Sequence, residues 1–113
     1  MMPRIMVTGA ACLAATAAAA DADMRRIDYT CDRGALIEAA YFDVDGEPEA
    51  VALTLEGRLI GLFAENTGAQ VRYGWPSDGS NYVWLIEGGA AQLLWSNGAE
   101  QSESVLLQEC LPE

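Results

Sequence analysis

A small eight-stranded antiparallel β-barrel closed by one disulfide is the fold this chain predicts, and three observations predict it. Beyond an alanine-rich leader the sequence divides into about eight short apolar runs, with no helix-period stretch among them. Glycine-bearing turns separate the runs, and the links are mostly too short for parallel crossovers, so neighbouring strands run antiparallel. Cys31 and Cys110 bracket the whole set, Cys110 lying three residues from the end.

The runs follow in order. Ile27 to Cys31 is the first. Ala35 to Phe42 places Ile37, Ala39 and Tyr41 on one face and Glu38 on the other. Asp43-Val44-Asp45-Gly46 turns the chain, and Ala50 to Leu55 puts Val51, Leu53 and Leu55 on one face. Glu56-Gly57 has the length of a tight hairpin, and Arg58 to Ala64 returns beside the preceding strand. Asn66-Thr67-Gly68 opens a loop before the short run Gln70 to Tyr73. Trp75 to Ser80 is a second loop, dense in turn-forming residues. Tyr82 to Ile86 and Ala90 to Trp95 pair around Gly88-Gly89. Ser96-Asn97-Gly98 turns again, and Ser104 to Cys110 closes the set. The candidate core is Leu53, Leu55, Phe63, Trp84, Leu93 and Leu107. Eight strands in so short a chain fit a closed barrel, and closure removes edges that would otherwise pair with other chains.

Residues 1–20 read as an export signal, with Arg4 as the basic residue, an apolar stretch to Ala20, and Ala18-Ala19-Ala20 as the small-x-small cleavage pattern. The domain is then residues 21–113, in the periplasm or secreted, where a Cys31–Cys110 bridge forms. Such a bridge closes a loop of about 80 residues, worth about 4–5 kcal/mol in the chain-entropy account. Cys12 raises a lipid-anchor alternative, but Gly9 stands where such a signal carries leucine. No later stretch is long and apolar enough to span a bilayer.

Seventeen acidic residues face six basic ones, all arginine, for a formal charge of −11. That surface repels nucleic acid and anionic lipid and attracts a basic partner. Catalysis is poorly supported. The chain has no histidine, the commonest general base, and no nucleophile elbow or phosphate-cradling loop. Asp43 to Glu49 begins like a calcium loop but lacks its closing ligands, so it reads as a hairpin turn; no metal or cofactor is expected. Trp75, in a polar loop before a proline, reads either as an interface anchor or as a cover over the barrel mouth.

With these pieces in place the chain resembles the MliC/PliC family of periplasmic inhibitors of C-type lysozyme. The residues that carry the likeness are Tyr29-Thr30-Cys31-Asp32-Arg33-Gly34, Ala39-Ala40-Tyr41, Ala52 to Arg58, Asn66-Thr67-Gly68-Ala69 leading to Arg72-Tyr73, Trp84-Leu85-Ile86-Glu87-Gly88, and Cys110. The resemblance implies an eight-stranded antiparallel barrel with one disulfide, and a C-type lysozyme as partner. It also implies a mechanism, in which a loop with a Ser-Gly-x-x-Tyr motif enters the lysozyme cleft. There a serine hydroxyl and a lysine from a Trp-x-Lys-Gly region engage the two catalytic carboxylates.

The inhibitory loop implied here is Asn66, Thr67, Gly68, Arg72 and Tyr73, with Trp75, Trp84, Glu87 and Gly88 as flanking contacts. The chain departs from the pattern at the decisive places. Thr67 replaces the serine, and Tyr73 follows Gly68 by five residues rather than three, so the loop reads as longer by two. Glu87 stands at the lysine position, where its charge opposes an ionised carboxylate, and Arg72 is the cation left to fill that role. A binding module of the same fold with a different envelope target is the alternative reading.

Overall fold

The computed structural model describes residues 21–67, 70–77 and 79–113, with the backbone alone at Asn66 and Thr67. The expected leader and Cys12 lie outside the described residues. Eight strands form a closed antiparallel barrel in chain order: β1 (Ala22–Thr30), β2 (Leu36–Val44), β3 (Glu47–Leu55), β4 (Arg58–Thr67), β5 (Gln70–Gly74), β6 (Asn81–Glu87), β7 (Ala90–Asn97) and β8 (Ser102–Pro112). A short 3-10 turn at Asp32–Gly34 links β1 to β2.

Most strands run beyond their apolar runs, because the ladder is made by backbone groups and continues through polar residues. β1 begins five residues before Ile27, where Ala22 pairs with Val44. Asp21 then closes that end twice: its carbonyl accepts from the Asp45 N–H at 2.8 Å, and its own N–H donates to Asp45 Oδ1 at 3.0 Å. The β2–β3 and β3–β4 turns are two-residue hairpins centred on Asp45-Gly46 and Glu56-Gly57, and all four residues have positive φ. Turns of that sign match the right-handed twist of the flanking strands, which is why a glycine occupies the second place of each.

Every second residue points inward. Ile37, Ala39 and Tyr41 of β2 meet Val51 and Leu53 of β3, and those meet Ile60 and Leu62 of β4. Trp84, Leu93 and Leu107 complete the expected core, while Leu55 is half-buried at its margin. Phe63 is a correction: it points out to solvent. Both faces of β4 carry apolar residues, so alternation alone leaves its orientation open. The pairing of Leu53 with Ile60 and Val51 with Leu62 settles it, since it turns Phe63 outward.

The barrel closes on a short seam. β1 meets β8 only at Tyr29↔Pro112 and Thr30↔Leu111, and the Cys31–Cys110 disulfide sits beside those two pairs. β8 bulges between Leu107 and Cys110, with Glu109 at φ 55°. The inserted residue lets Leu107 and Cys110, three positions apart, both face the interior. The 3-10 turn reinforces the seam: Arg33 Nη2 donates to the Leu106 carbonyl at 2.7 Å, and Asp32 Oδ1 accepts from the Gln108 N–H at 3.0 Å.

The aromatic centre is internally hydrogen-bonded, as buried polar atoms require. Trp84 Nε1 donates to the Tyr41 hydroxyl at 2.8 Å, and the Tyr29 and Tyr41 hydroxyls pair at 2.7 Å. Trp84 stands edge-on to Tyr29, and the Arg25 guanidinium lies 4.7 Å from the Tyr41 ring centre. Burial pushes the Tyr41 hydroxyl well above the ordinary tyrosine range, and burial together with the nearby Asp43 charge pushes Tyr73 up to about 12. Both groups hold their protons more tightly folded than unfolded, so they contribute fully below the unfolded value near 10. Stability therefore falls as pH rises from about 10 towards 12. Alkaline denaturation followed by circular dichroism, alongside tyrosinate absorbance, is expected to show these two tyrosines ionising only as the barrel unfolds.

Candidate functional site

Three hairpins reach the same end of the barrel: β2–β3, β4–β5 and β6–β7. In β4–β5, Thr67 pairs with Gln70, Asn66 with Val71 and Glu65 with Arg72. Asn66 and Thr67 thus finish a strand rather than open a loop, and the connection is the two residues 68 and 69. Gly68 lies outside the described residues. Gln70, Val71 and Arg72, which the spacing counts as loop, belong to β5.

The neighbouring β6–β7 hairpin stands beside it. Val71 pairs with Ile86, so Glu87 follows at the end of β6 and Gly88 enters the turn. Gly88 and Gly89 take φ values of +63° and +87°, which permits a tight turn there. Glu87 and Gly88 are exposed. Beneath the hairpins the barrel mouth holds a cavity of about 260 Å³, lined by Arg25, Tyr41, Pro48, Tyr73, Ile86 and Gly89 among others.

Three expected contacts are placed elsewhere. Tyr73 is inward, enclosed against Tyr41, because it alternates with the outward Arg72. Trp84 is wholly interior and paired with Tyr73 across β5 and β6. Neither presents a surface to a partner. Trp75 is exposed but follows the far end of β5, about 17 Å along the strand from Gln70. It stacks on Phe63 with ring centres 5.5 Å apart and does not flank the hairpin tip.

Arg72 points outward and is held by two carboxylates. Its Nε donates to Glu65 Oε1 at 2.8 Å, and its Nη1 donates to Glu103 Oε1 at 3.1 Å, with Nη2 on Glu103 Oε2 as the second arm of the fork. Glu65 lies directly across the hairpin. Glu103 comes from β8, which β6 and β7 separate from β5 in the sheet. The hydrogen bond and charge of Arg72 hold the Glu103 carboxyl below the usual carboxylate range, and Glu103 raises the Arg72 guanidinium in turn. Sequence reasoning did not reach these two carboxylates. Glu65 follows once the hairpin is read as a two-residue turn, because register then sets it opposite Arg72; Glu103 has no local signal at all.

Fold and site together define a disulfide-closed antiparallel barrel with three hairpins at one end. A model of the MliC family, described as membrane-bound lysozyme-inhibitor of c-type lysozyme, matches residues 29–102, and the chain belongs to that family. It is a family of inhibitors rather than enzymes. No individual curated protein matches the chain. No helix among the described residues is long and apolar enough to cross a membrane.

Proposed function

We propose that this protein binds a c-type lysozyme at the cell envelope and inhibits it by inserting the β4–β5 hairpin into the active-site cleft. The observation that carries the reading is the family match, which runs from the end of β1 to the start of β8 and takes in both hairpins of the site. The charge supports it. A chain at −11 draws in a basic enzyme over long range, and one unfavourable contact at Glu87 leaves that field nearly intact.

Asn66, Thr67 and Gly68 form the inserted tip. The threonine hydroxyl can donate to, or accept from, a carboxyl group of the enzyme, as a serine would. Arg72 acts as a positioning residue: bound to Glu65 and Glu103, it sets the angle of the hairpin base and keeps its charge within the protein. Glu87 and Gly88 form the adjoining wall, and Glu87 selects a partner with a basic group at that place.

The test is a cell-wall lysis assay with a c-type lysozyme in low salt. Inhibition is expected at micromolar protein, weakening as salt is raised. Full lysis throughout overturns the proposal. Arg72→Ala and Glu103→Gln are both expected to weaken inhibition several-fold, and Arg72→Ala to cost at most about 1 kcal/mol in stability, as partly exposed ion pairs do. Stronger inhibition by Glu103→Gln reverses the role given to Arg72, since it shows a freed guanidinium acting on the enzyme directly.

A further inference from the structure

The outer face of β2, β3 and β4 carries a two-by-three grid of uncharged residues. One row is Phe42, Ala50 and Phe63; the next is Ala40, Ala52 and Gly61. The first row continues to Met24 on β1 and to Gly74 on β5, where Trp75 stacks on Phe63. Met24 is 57% exposed, Phe42 43%, Phe63 47% and Trp75 44%. The six positions of the grid carry no charge, and charged residues bound it: Glu38 stands one row beyond Ala40 on the outer face of β2, Glu65 one row beyond Phe63 on β4, and Arg26 pairs with Ala40 from β1. On a chain with seventeen acidic residues, such a grid is a place where like-charged molecules can meet with least repulsion.

We propose that this face joins two copies of the chain in an isologous dimer. The grid is self-complementary about a two-fold axis running across the strands between its rows. That operation seats Phe42 on Ala40 of the second copy, Phe63 on Gly61 of the second copy, and Ala50 on Ala52. Each aromatic ring meets a small residue, and the low crown of β3 lets the two sheets approach. At about 200 Å² for a fully open large side chain, the four large residues expose roughly 400 Å² per copy. The small residues and Leu59 add to this, and two copies together reach the approximately 1,000 Å² a specific interface requires.

Charge argues against the other occupants. A basic lysozyme is drawn to acidic surface, which the six grid positions lack, and anionic lipid is repelled by the molecule as a whole. The face is also separate from the β4–β5 tip, so a dimer leaves both tips free.

Sedimentation velocity on the protein expressed from the full chain, disulfide intact, tests this across a concentration series to about 500 μM, the range of a small interface. The expected result is a reversible dimer that persists in high salt. A Cβ at Gly61 meets nothing within 4 Å, so Gly61→Phe fills the recess without disturbing the barrel. That variant is expected to lower the association constant at least tenfold with an unchanged melting temperature, and Phe63→Ser to do the same. A wild-type monomer throughout the series overturns the proposal, as does a Gly61→Phe dimer of wild-type strength. Loss of lysozyme binding or of vesicle binding in Gly61→Phe, with no dimer in the wild type, assigns the face to that partner instead.

Discussion

Replacing both bridge cysteines, Cys31→Ala with Cys110→Ala, lowers the melting temperature by roughly 20–30 °C. The disulfide closes a loop of 79 residues in sequence. In the chain-entropy account that constraint is worth about 4–5 kcal/mol, and a domain of this size shifts by about 4–8 °C per kcal/mol. The seam makes the loss larger than entropy alone. Only two residue pairs join β1 to β8, and the other ties across the seam among the described residues are four hydrogen bonds: Arg33 to the Leu106 carbonyl, the Gln108 N–H to Asp32, the Glu113 N–H to the Asp28 carbonyl and the Thr30 hydroxyl to Glu113. The bridge is thus its one covalent tie. Opening there exposes two unpaired strand edges, and the variant is expected to aggregate on warming where the parent does not. Thermal melts by circular dichroism with light scattering read both effects. A loss under about 5 °C shows that the packed core holds the seam unaided.

Trp84→Ala costs about 3–5 kcal/mol, the usual penalty for removing a large buried aromatic. Trp84 is fully enclosed, stands edge-on to Tyr29 and donates to the Tyr41 hydroxyl. Its removal leaves both a cavity and a weakened hydrogen-bond chain at the centre of the barrel. Trp84→Phe keeps most of the ring contact and loses the donor, for about 1–3 kcal/mol. Urea unfolding measures both. Inhibition per folded molecule is expected to be unchanged in Trp84→Phe, because no atom of this side chain reaches the surface. If Trp84→Phe inhibits poorly while its unfolding midpoint stays at the wild-type value, the residue touches the enzyme after all.

The contrast between Trp84 and Trp75 shows how far the site was legible. Both were expected beside the hairpin on the strength of sequence order and family likeness. Inward parity on β6 buries one, and the length of β5 carries the other to the opposite end. Tyr73 moves from the loop to the interior for a related reason: residues counted as loop are strand, and strand parity then fixes its direction. That β4–β5 and β6–β7 share one end of the barrel was readable, because alternate hairpins of an up-and-down barrel reach the same end.

By itself the sequence determined the strand count, the antiparallel order, a turn within Asp43–Gly46, the tight turns at Glu56-Gly57 and Gly88-Gly89, and the pairing of Cys31 with Cys110. Each depends on local chemistry or on there being only two cysteines beyond residue 20. The tertiary structure alone decided that Phe63 faces solvent, that Arg72 is held by Glu103 from β8, and that Ala40, Phe42, Ala50, Ala52, Gly61 and Phe63 adjoin in one uncharged grid on the outer face of β2–β4. Those outcomes depend on register between strands, where a shift of one residue exchanges the inner and outer faces, and on closure of the sheet, which brings together residues that no local pattern connects.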